Sequence, residues 1–170
     1  MGVPFYRLTV PVFVRALTNL SAILKVAEAH AKTNNIDPAT LLEARLYPDM
    51  GSLPFQIQRC SDSAKFAAVH LAGAENLSMP DTETTFEQLH ERIQKTVGFL
   101  NATDEKAWEG KETLVVKYRM GPIERSDPGE KYLLEFTLPN FFFHVATAHD
   151  ILRNQGVPIG KMNYLAGGFM

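Results

Sequence analysis

The stretch that most constrains the fold is Phe136 to Arg153, FTLPNFFFHVATAHDILR, in which a proline precedes three consecutive phenylalanines and one histidine. Pro139 suits the first turn of a helix, where no intrahelical donor is lost, and Gly156 follows as a terminator. A helix so rich in aromatic residues must bury them against other elements. The sequence therefore predicts a helix from Pro139 to about Arg153 inside a helical domain.

Further helices are predicted from the spacing of apolar residues. They run from about Thr9 to Lys32, from Pro38 to Arg45, from Pro54 to Leu71, and from a cap at Thr84 to about Leu100. In the three long ones, apolar residues recur at steps of three and four, the spacing of a buried helical face. Thr9 is the predicted cap of the first helix, and Thr84 with Glu87 is the predicted capping box of the third long helix.

A small hairpin is predicted before the last long helix. Apolar and polar residues alternate from Glu112 to Met120, which favours a strand, and Lys131 to Phe136 is the second candidate strand across a turn-rich loop. The stretch after Gly156 is predicted to be irregular. We therefore expect an all-α fold, a four-helix bundle with a small β-hairpin insertion before the last helix, forming a single domain over residues 1–170.

Composition narrows the classes of function and of partner. The net charge of −2 gives no electrostatic reason to expect a nucleic acid or an anionic membrane as partner. No uninterrupted apolar run of about 18 residues is present, and the start MGVPFYRLTV lacks the pattern of a signal peptide. The single cysteine, Cys60, cannot form an intrachain disulfide. These features predict a cytoplasmic protein.

Two blocks resemble a known family. They are RLYPDMGSLPFQIQRCSDSAK, Arg45 to Lys65, and LPNFFFHVATAHDILRNQGVPIGK, Leu138 to Lys161. Both resemble the domain-of-unknown-function family nineteen-ninety-three, a branch of the DinB/YfiT-like superfamily. The resemblance implies an up-down-down-up four-helix bundle and a homodimer. Relatives include metal-dependent thiol transferases and hydrolase-like proteins, whereas this branch has no settled activity.

The chain departs from the metal site that the resemblance implies. The superfamily's usual site takes one histidine from the second helix and two, four apart, from the last helix. Against that motif His144 matches the leading, non-ligand histidine, and the two ligand positions fall on Ala148 and Leu152. The second long helix carries no histidine before His70, near its far end.

The spacing of the histidines on the last long helix also argues against a metal site. His144 and His149 are five residues apart, about 140° around a helix, so one regular helix cannot present both to one ion. The best remaining set is His144 with Asp62 and either Asp49 or Gln58, which is weak for a three-ligand site. We therefore predict no resident metal and no other cofactor.

His144 has two interpretations. As a structural residue, its ring nitrogens would be satisfied inside the core by a carbonyl or a carboxylate. As a functional residue, it would be a general acid or base in an apolar pocket walled by Phe141, Phe142 and Phe55, because an imidazole titrates near neutrality.

The polar residues around it also have two interpretations. Asp62 and Gln58, four apart on one helix face, either form a buried network with Lys65 or the Asp49 loop, or Asp62 orients His144 or a substrate hydroxyl. The structural alternative is favoured for this pair, because structural networks hold carboxylates in the same way. Tyr47 and Asp49 are candidate rim residues or simple turn residues.

The leading hypothesis is a small organic ligand in an apolar cavity between the second and fourth long helices, lined by Gln58, Asp62, Asn140 and His144. Any reaction would be a metal-free proton transfer of the isomerase, lyase or cyclase type, with His144 as acid or base and Asp62 beside it. The alternatives are a non-enzymatic dimeric binding or stress-related module, and a metal-dependent thiol transferase or hydrolase.

Overall fold

The computed structural model describes residues 3–167. Its long helices are α1 (Val10–Thr33), α3 (Leu53–Ala72), α4 (Phe86–Asn101) and α6 (Leu138–Asn154), and its short ones are α2 (Pro38–Glu43), α5 (Gly129–Lys131) and α7 (Lys161–Ala166). The strands are β1 (Val115–Met120) and β2 (Ile123–Pro128). Three 3₁₀ turns cover Phe5–Leu8, Glu105–Trp108 and Lys111–Thr113, and a π-helical segment covers Tyr132–Thr137.

The four long helices form the predicted bundle around one apolar core. Helix α3 packs most extensively on α6, and α1 packs on α4 and on α7. The predicted inward face of α1 is confirmed, because each of its six residues is at most 2% exposed: Phe13, Leu17, Leu20, Leu24, Ala27 and Ala31. Helices α1, α3 and α6 each begin with a proline in the first turn. Gly73, in the left-handed conformation at φ 69°, ends α3 as predicted.

Two predicted helix caps are wrong in detail. The capping box of α4 is Thr85 with Gln88, one residue later than the predicted Thr84 with Glu87. The apolar face sets this register, because Phe86 is the first residue that the helix buries. The Thr9 side chain does not cap α1, and its hydroxyl instead donates to the Tyr6 carbonyl oxygen at 2.7 Å in the preceding 3₁₀ turn.

The hairpin lies before the last long helix, as the sequence predicts, but the predicted position of its second strand is wrong. Strand β2 is Ile123–Pro128, paired antiparallel with β1 so that Met120 lies opposite Ile123 across a tight turn at Gly121. The predicted strand Lys131–Phe136 is helical and passes through the π-helical segment. Strand β2 was not predicted because its side chains are mostly exposed and polar. The alternation of apolar and polar residues that marks a half-buried strand is therefore missing.

The end of the chain is more ordered than predicted. Residues 161–166 form helix α7, which packs on α1, instead of an irregular stretch. One helical stretch, Phe5–Thr33, is long and apolar enough to cross a membrane by length and composition alone, with a mean hydropathy of 1.4. Its apolar face is buried against the other helices, which is typical of the core helix of a bundle.

Candidate functional site

A groove of about 490 Å³ runs between α3, strand β1, the π-helical segment and the start of α6. We call it the α3–hairpin groove. Its walls combine four aromatic residues, three basic residues, a histidine and four other polar residues. The π-helical segment contributes Tyr132, Phe136 and Thr137 to the wall. Single π-helical turns inside α-helices are often found at functional sites, so this groove is the strongest candidate site.

The groove has an aromatic floor. The ring of Tyr118 lies 4.7 Å from that of Phe136 and 4.8 Å from that of Tyr132, measured between centroids. On the opposite wall Phe66 stacks on the His70 imidazole at 5.7 Å with planes 21° apart. Aromatic faces at these positions offer stacking surfaces to a flat ligand.

His70 and Tyr132 share a hydrogen bond inside the groove. The Tyr132 hydroxyl lies 3.0 Å from His70 Nδ1. Burial raises the pKa of Tyr132 and lowers the pKa of His70, so both groups are neutral near pH 7. The bond occupies Nδ1 and leaves the second ring nitrogen, Nε2, free to exchange a proton with a ligand. This is the arrangement of a base oriented by a neighbour.

The charged groups of the groove favour an anion. No acidic residue among positions 3–167 forms an ion pair with Lys117 or Arg119, whereas Arg59 is paired with Asp62 at 3.1 Å. Thr137 is 2% exposed, and its hydroxyl oxygen is fully buried beside Tyr132, where it makes no hydrogen bond of normal geometry with the described residues.

Two predicted site residues line this groove. The Asn140 side-chain amide donates to Ser63 Oγ at 2.8 Å. The Asp62 carboxylate is held by Arg92 at 3.2 Å and by Lys65 at 3.4 Å. Asp62 therefore takes part in a structural ion-pair network, including the predicted contact with Lys65.

Gln58 lies in a different place from Asp62 and Asn140. Its amide donates to Glu83 Oε2 at 2.9 Å, and it lines a separate groove with Phe55. Burial opposes ionisation of Glu83, but hydrogen bonds from Arg92 and Gln58 hold its pKa below the usual value. This network joins α3 and α4 to the loop between them.

His144 bonds to Gln56 and not to a carboxylate. Gln56 Nε2 donates to the Gly51 carbonyl at 2.9 Å, which turns its oxygen toward His144 Nδ1 at 2.7 Å. Nδ1 must then carry the proton, so Nε2 is the unprotonated nitrogen. Burial, with the positive charge of Arg59, lowers the pKa of His144 to about 4. His144 lines neither the α3–hairpin groove nor the groove that Gln58 shares with Phe55.

The remaining predicted residues are spread over core and surface. Phe141 is fully buried and packs edge-on against Phe13 at 4.9 Å, so it belongs to the bundle core. Phe55 is 42% exposed, with its ring 6.2 Å from the His144 ring. Tyr47 is 66% exposed, and Asp49 is also exposed. The structure therefore does not bring the eight predicted residues into one cavity.

The residues at the superfamily's ion-binding positions do not fit a metal. Ala148 and Leu152 are fully buried hydrocarbon side chains and have no atom that can coordinate an ion. Across positions 3–167, no group of three or more His, Cys, Asp or Glu side chains is placed to hold a metal. Cys60 is buried and its burial raises the pKa of the thiol, so it is held as an unreactive thiol.

Ten of the twelve residues that line the groove were not predicted as site residues, among them His70, Tyr118 and Tyr132. His70 could have been found, because Asp62, Phe66 and His70 follow each other at steps of four along α3 and share one face. Tyr132 could not have been found in this way, because it lay in the predicted strand Lys131–Phe136, which would place different residues next to it.

Comparison with known proteins agrees with this fold. The family model described as Domain of unknown function (DUF1993) matches residues 5–165. A crystal structure of a DinB family member from Shewanella denitrificans superposes with a TM-score of 0.89 at 34% sequence identity, covering 95% of this chain and 91% of that chain. No curated protein matches the chain. The chain therefore belongs to the DUF1993 family of DinB-like proteins.

Proposed function

We propose that this protein binds a small planar organic anion in the α3–hairpin groove and moves a proton on it, with His70 as the acid or base. The observation that carries this proposal is the 3.0 Å hydrogen bond between His70 and Tyr132 on the groove wall. An imidazole with one nitrogen fixed and the other free is suited to proton transfer.

The ligand class follows from the surrounding side chains. Lys117 and Arg119 supply positive charge that no described acidic residue neutralises by an ion pair, so an anionic group is favoured at that end. Tyr118 and Phe136 supply ring faces for a planar body. The Asn140 amide supplies a hydrogen bond that fixes the orientation. A conjugated or aromatic carboxylate has a planar body, a negative charge and hydrogen-bond acceptors, and so matches all of these side chains.

Binding is tested with a matched pair of probes. Naphthalene-2-carboxylate should bind more tightly than the uncharged naphthalene-2-carboxamide, measured by calorimetric titration. The double substitution Lys117→Gln with Arg119→Gln should remove this preference, because it removes the free positive charges. Lys95→Gln, on the exposed side of α4, is the control and should leave it unchanged. Equal affinity of both probes for the unsubstituted protein would contradict the proposal.

Proton transfer is tested with phenylpyruvate, a planar aromatic keto acid whose enol absorbs in the ultraviolet. The protein should accelerate its tautomerisation, and His70→Asn should abolish the acceleration while the melting temperature stays close to that of the unsubstituted protein. An unchanged acceleration in His70→Asn would exclude His70 as the acid or base, and no acceleration by the unsubstituted protein would limit the function to binding.

A second candidate for the proton-transferring group is His144, favoured by the free Nε2 that its bond to Gln56 leaves. With a pKa near 4, it is a neutral and weak base at pH 7. His144→Ala would then abolish turnover without unfolding the chain, and unchanged turnover would assign the chemistry to His70.

We also propose that the protein is a homodimer. Three exposed aromatic residues on neighbouring surfaces, Tyr47, Phe55 and Phe143, support this, because such residues are common in interfaces. Light scattering after size exclusion gives the mass in solution, and a mass near 19.0 kDa at all concentrations would contradict it.

A further inference from the structure

Two successive hydrogen bonds join a serine, a histidine and a glutamate between α1 and α4, and none of the three lines the α3–hairpin groove. Ser21 Oγ lies 2.9 Å from His90 Nδ1, and His90 Nε2 lies 3.1 Å from Glu28 Oε2. Ser21 and Glu28 are seven residues apart on α1, two helical turns along one face, and the His90 ring on α4 bridges them. We propose that these residues form a nucleophilic site that hydrolyses esters or thioesters of apolar acyl groups.

The polarity of the hydrogen bonds agrees with this role. An ionised carboxylate accepts hydrogen bonds only, so His90 Nε2 carries the proton that is donated to Glu28. Nδ1 of the neutral ring then holds a lone pair and accepts from the Ser21 hydroxyl. The serine therefore donates to a base whose opposite nitrogen is oriented by a carboxylate, which is the arrangement of an activated nucleophile.

The Ser21 hydroxyl bonds across to another helix, as that of Ser61 also does, instead of back to its own helix. A serine or threonine inside a helix usually bonds back to the carbonyl four residues earlier. Thr18, Ser63 and Thr147 all do so at 2.7 Å. Ser21 bonds to His90 instead, so its hydroxyl is directed away from its own helix.

Ser21 lines an open groove between α1 and α4, of about 460 Å³. Its walls are mainly apolar and include Ala22, Ile93 and Val97, which suit an aliphatic acyl chain. Lys25 and Gln94 line the same groove and carry hydrogen-bond donors that can stabilise a negative oxygen. The groove thus presents a nucleophile, an apolar surface and donor groups together.

The reaction proceeds in two balanced steps. Ser21 Oγ attacks the acyl carbonyl carbon while its proton passes to His90 Nδ1, and the resulting oxyanion expels the alcohol or thiol, which takes that proton. Water then attacks the acyl-serine ester, again giving a proton to His90. Ser21 leaves with that proton, and the free carboxylic acid is released. Glu28 is a positioning residue that holds the ring and stabilises its protonated form.

The direct test uses p-nitrophenyl butyrate and an alkyl fluorophosphonate with the full chain. Ser21→Ala and His90→Asn should each lower the hydrolysis rate by roughly 100-fold, the usual contribution of a nucleophile and its base. Thr40→Ala, on the exposed surface of α2 and away from this groove, is the control and should keep the rate. The fluorophosphonate should add to Ser21, as peptide mapping by mass spectrometry will show.

Two further variants separate catalysis from structure. Glu28→Gln should lower kcat and leave KM unchanged, because a positioning residue acts on the ring and not on the substrate. The thiol introduced by Ser21→Cys should react with iodoacetamide faster than that of Thr18→Cys, and His90→Asn should remove the difference. Equal hydrolysis by Ser21→Ala and Thr40→Ala, or equal alkylation of the Ser21→Cys and Thr18→Cys thiols, would overturn the proposal.

Discussion

The imidazole of His144 donates a hydrogen bond from Nδ1 to the side-chain oxygen of Gln56, at 2.7 Å, and so connects α6 to α3. These two helices share the most extensive contact in the bundle. Gln56 is 1% exposed, and its amide group is fixed from the other side by the Gly51 carbonyl. The bond therefore depends on a neutral ring in one tautomer, and it makes the pairing of the two helices sensitive to both residues.

Removing the amide should weaken the fold. Gln56→Ala leaves the Nδ1 proton of His144 and the Gly51 carbonyl without a partner, so we expect a loss of about 1–3 kcal/mol in the free energy of unfolding. Urea denaturation followed by circular dichroism measures this loss. The exposed Gln94→Ala should change the value by less than about 0.5 kcal/mol. Equal losses in the two variants would mean that the bond contributes nothing.

Stability should depend on pH through the buried histidines. The pKa of His144 falls from 6.5 to about 4 on folding, and that of His70 also falls. Between these two pKa values the unfolded chain binds more protons than the folded chain. The free energy of unfolding therefore has its highest value above the unfolded pKa of 6.5 and declines as the pH falls toward 4. His144→Asn should flatten this decline in urea titrations at several pH values.

The control for the pH series is His30→Asn, because the His30 ring lies near the end of α1 and contacts the side chain of the C-cap residue Asn34 at 3.2 Å. Carboxylates that lose their native partners at low pH do so in both variants, so their contribution cancels in the comparison. A decline of the same slope in His144→Asn and in the unsubstituted protein would contradict the prediction.

The ion-pair network around Arg92 should be strongly stabilising as a unit. The Arg92 side chain is 1% exposed and bonds to Asp62 at 3.2 Å, Asp81 at 3.0 Å and Glu83 at 2.9 Å. Arg92→Met leaves three carboxylates without their shared cation, and we expect a loss of about 3–5 kcal/mol. Lys95→Met, in an exposed pair on the same helix, should cost less than about 1 kcal/mol. Thermal unfolding compares them, and similar melting temperatures would refute the prediction.

Two buried threonines should respond in opposite ways to valine. Thr137 makes no hydrogen bond with the described residues, so Thr137→Val should be neutral or stabilising by up to about 1 kcal/mol. Thr96 bonds to Ser61 at 2.7 Å and to the Arg92 carbonyl at 2.8 Å, so Thr96→Val should cost about 1–3 kcal/mol. A comparable loss of stability in both variants would contradict the assignment of Thr137.

Sequence reasoning recovered the helices because their apolar spacing is a local property. The buried face of α1 and the glycine terminator of α3 are both set within a few residues. The strand at Lys131–Phe136 was wrong because YLLEF favours a strand locally, whereas Tyr132 and Leu133 are buried in a helical segment that the bundle imposes. Tertiary packing overrode the local preference.

The candidate site was less predictable, since its members come from distant segments. Asp62 is paired with Arg92, thirty residues later, and His70 with Tyr132, sixty-two residues later. Periodicity within one helix gives the face on which a residue lies but not the residue that it meets across the bundle. Only Asp62 and Asn140 of the predicted residues line the α3–hairpin groove.

The π-helical segment Tyr132–Thr137 joins the groove to the bundle. Its wider turn holds one more residue than an α-helical turn, so it offsets the phase of α6 by about 100° from that of an uninterrupted helix. Phe141 then faces the core, while Phe136 on the other side of the joint faces the groove. A substitution at Phe136 therefore changes the groove and one at Phe141 changes the hydrocarbon interior, whereas Tyr132 belongs to both.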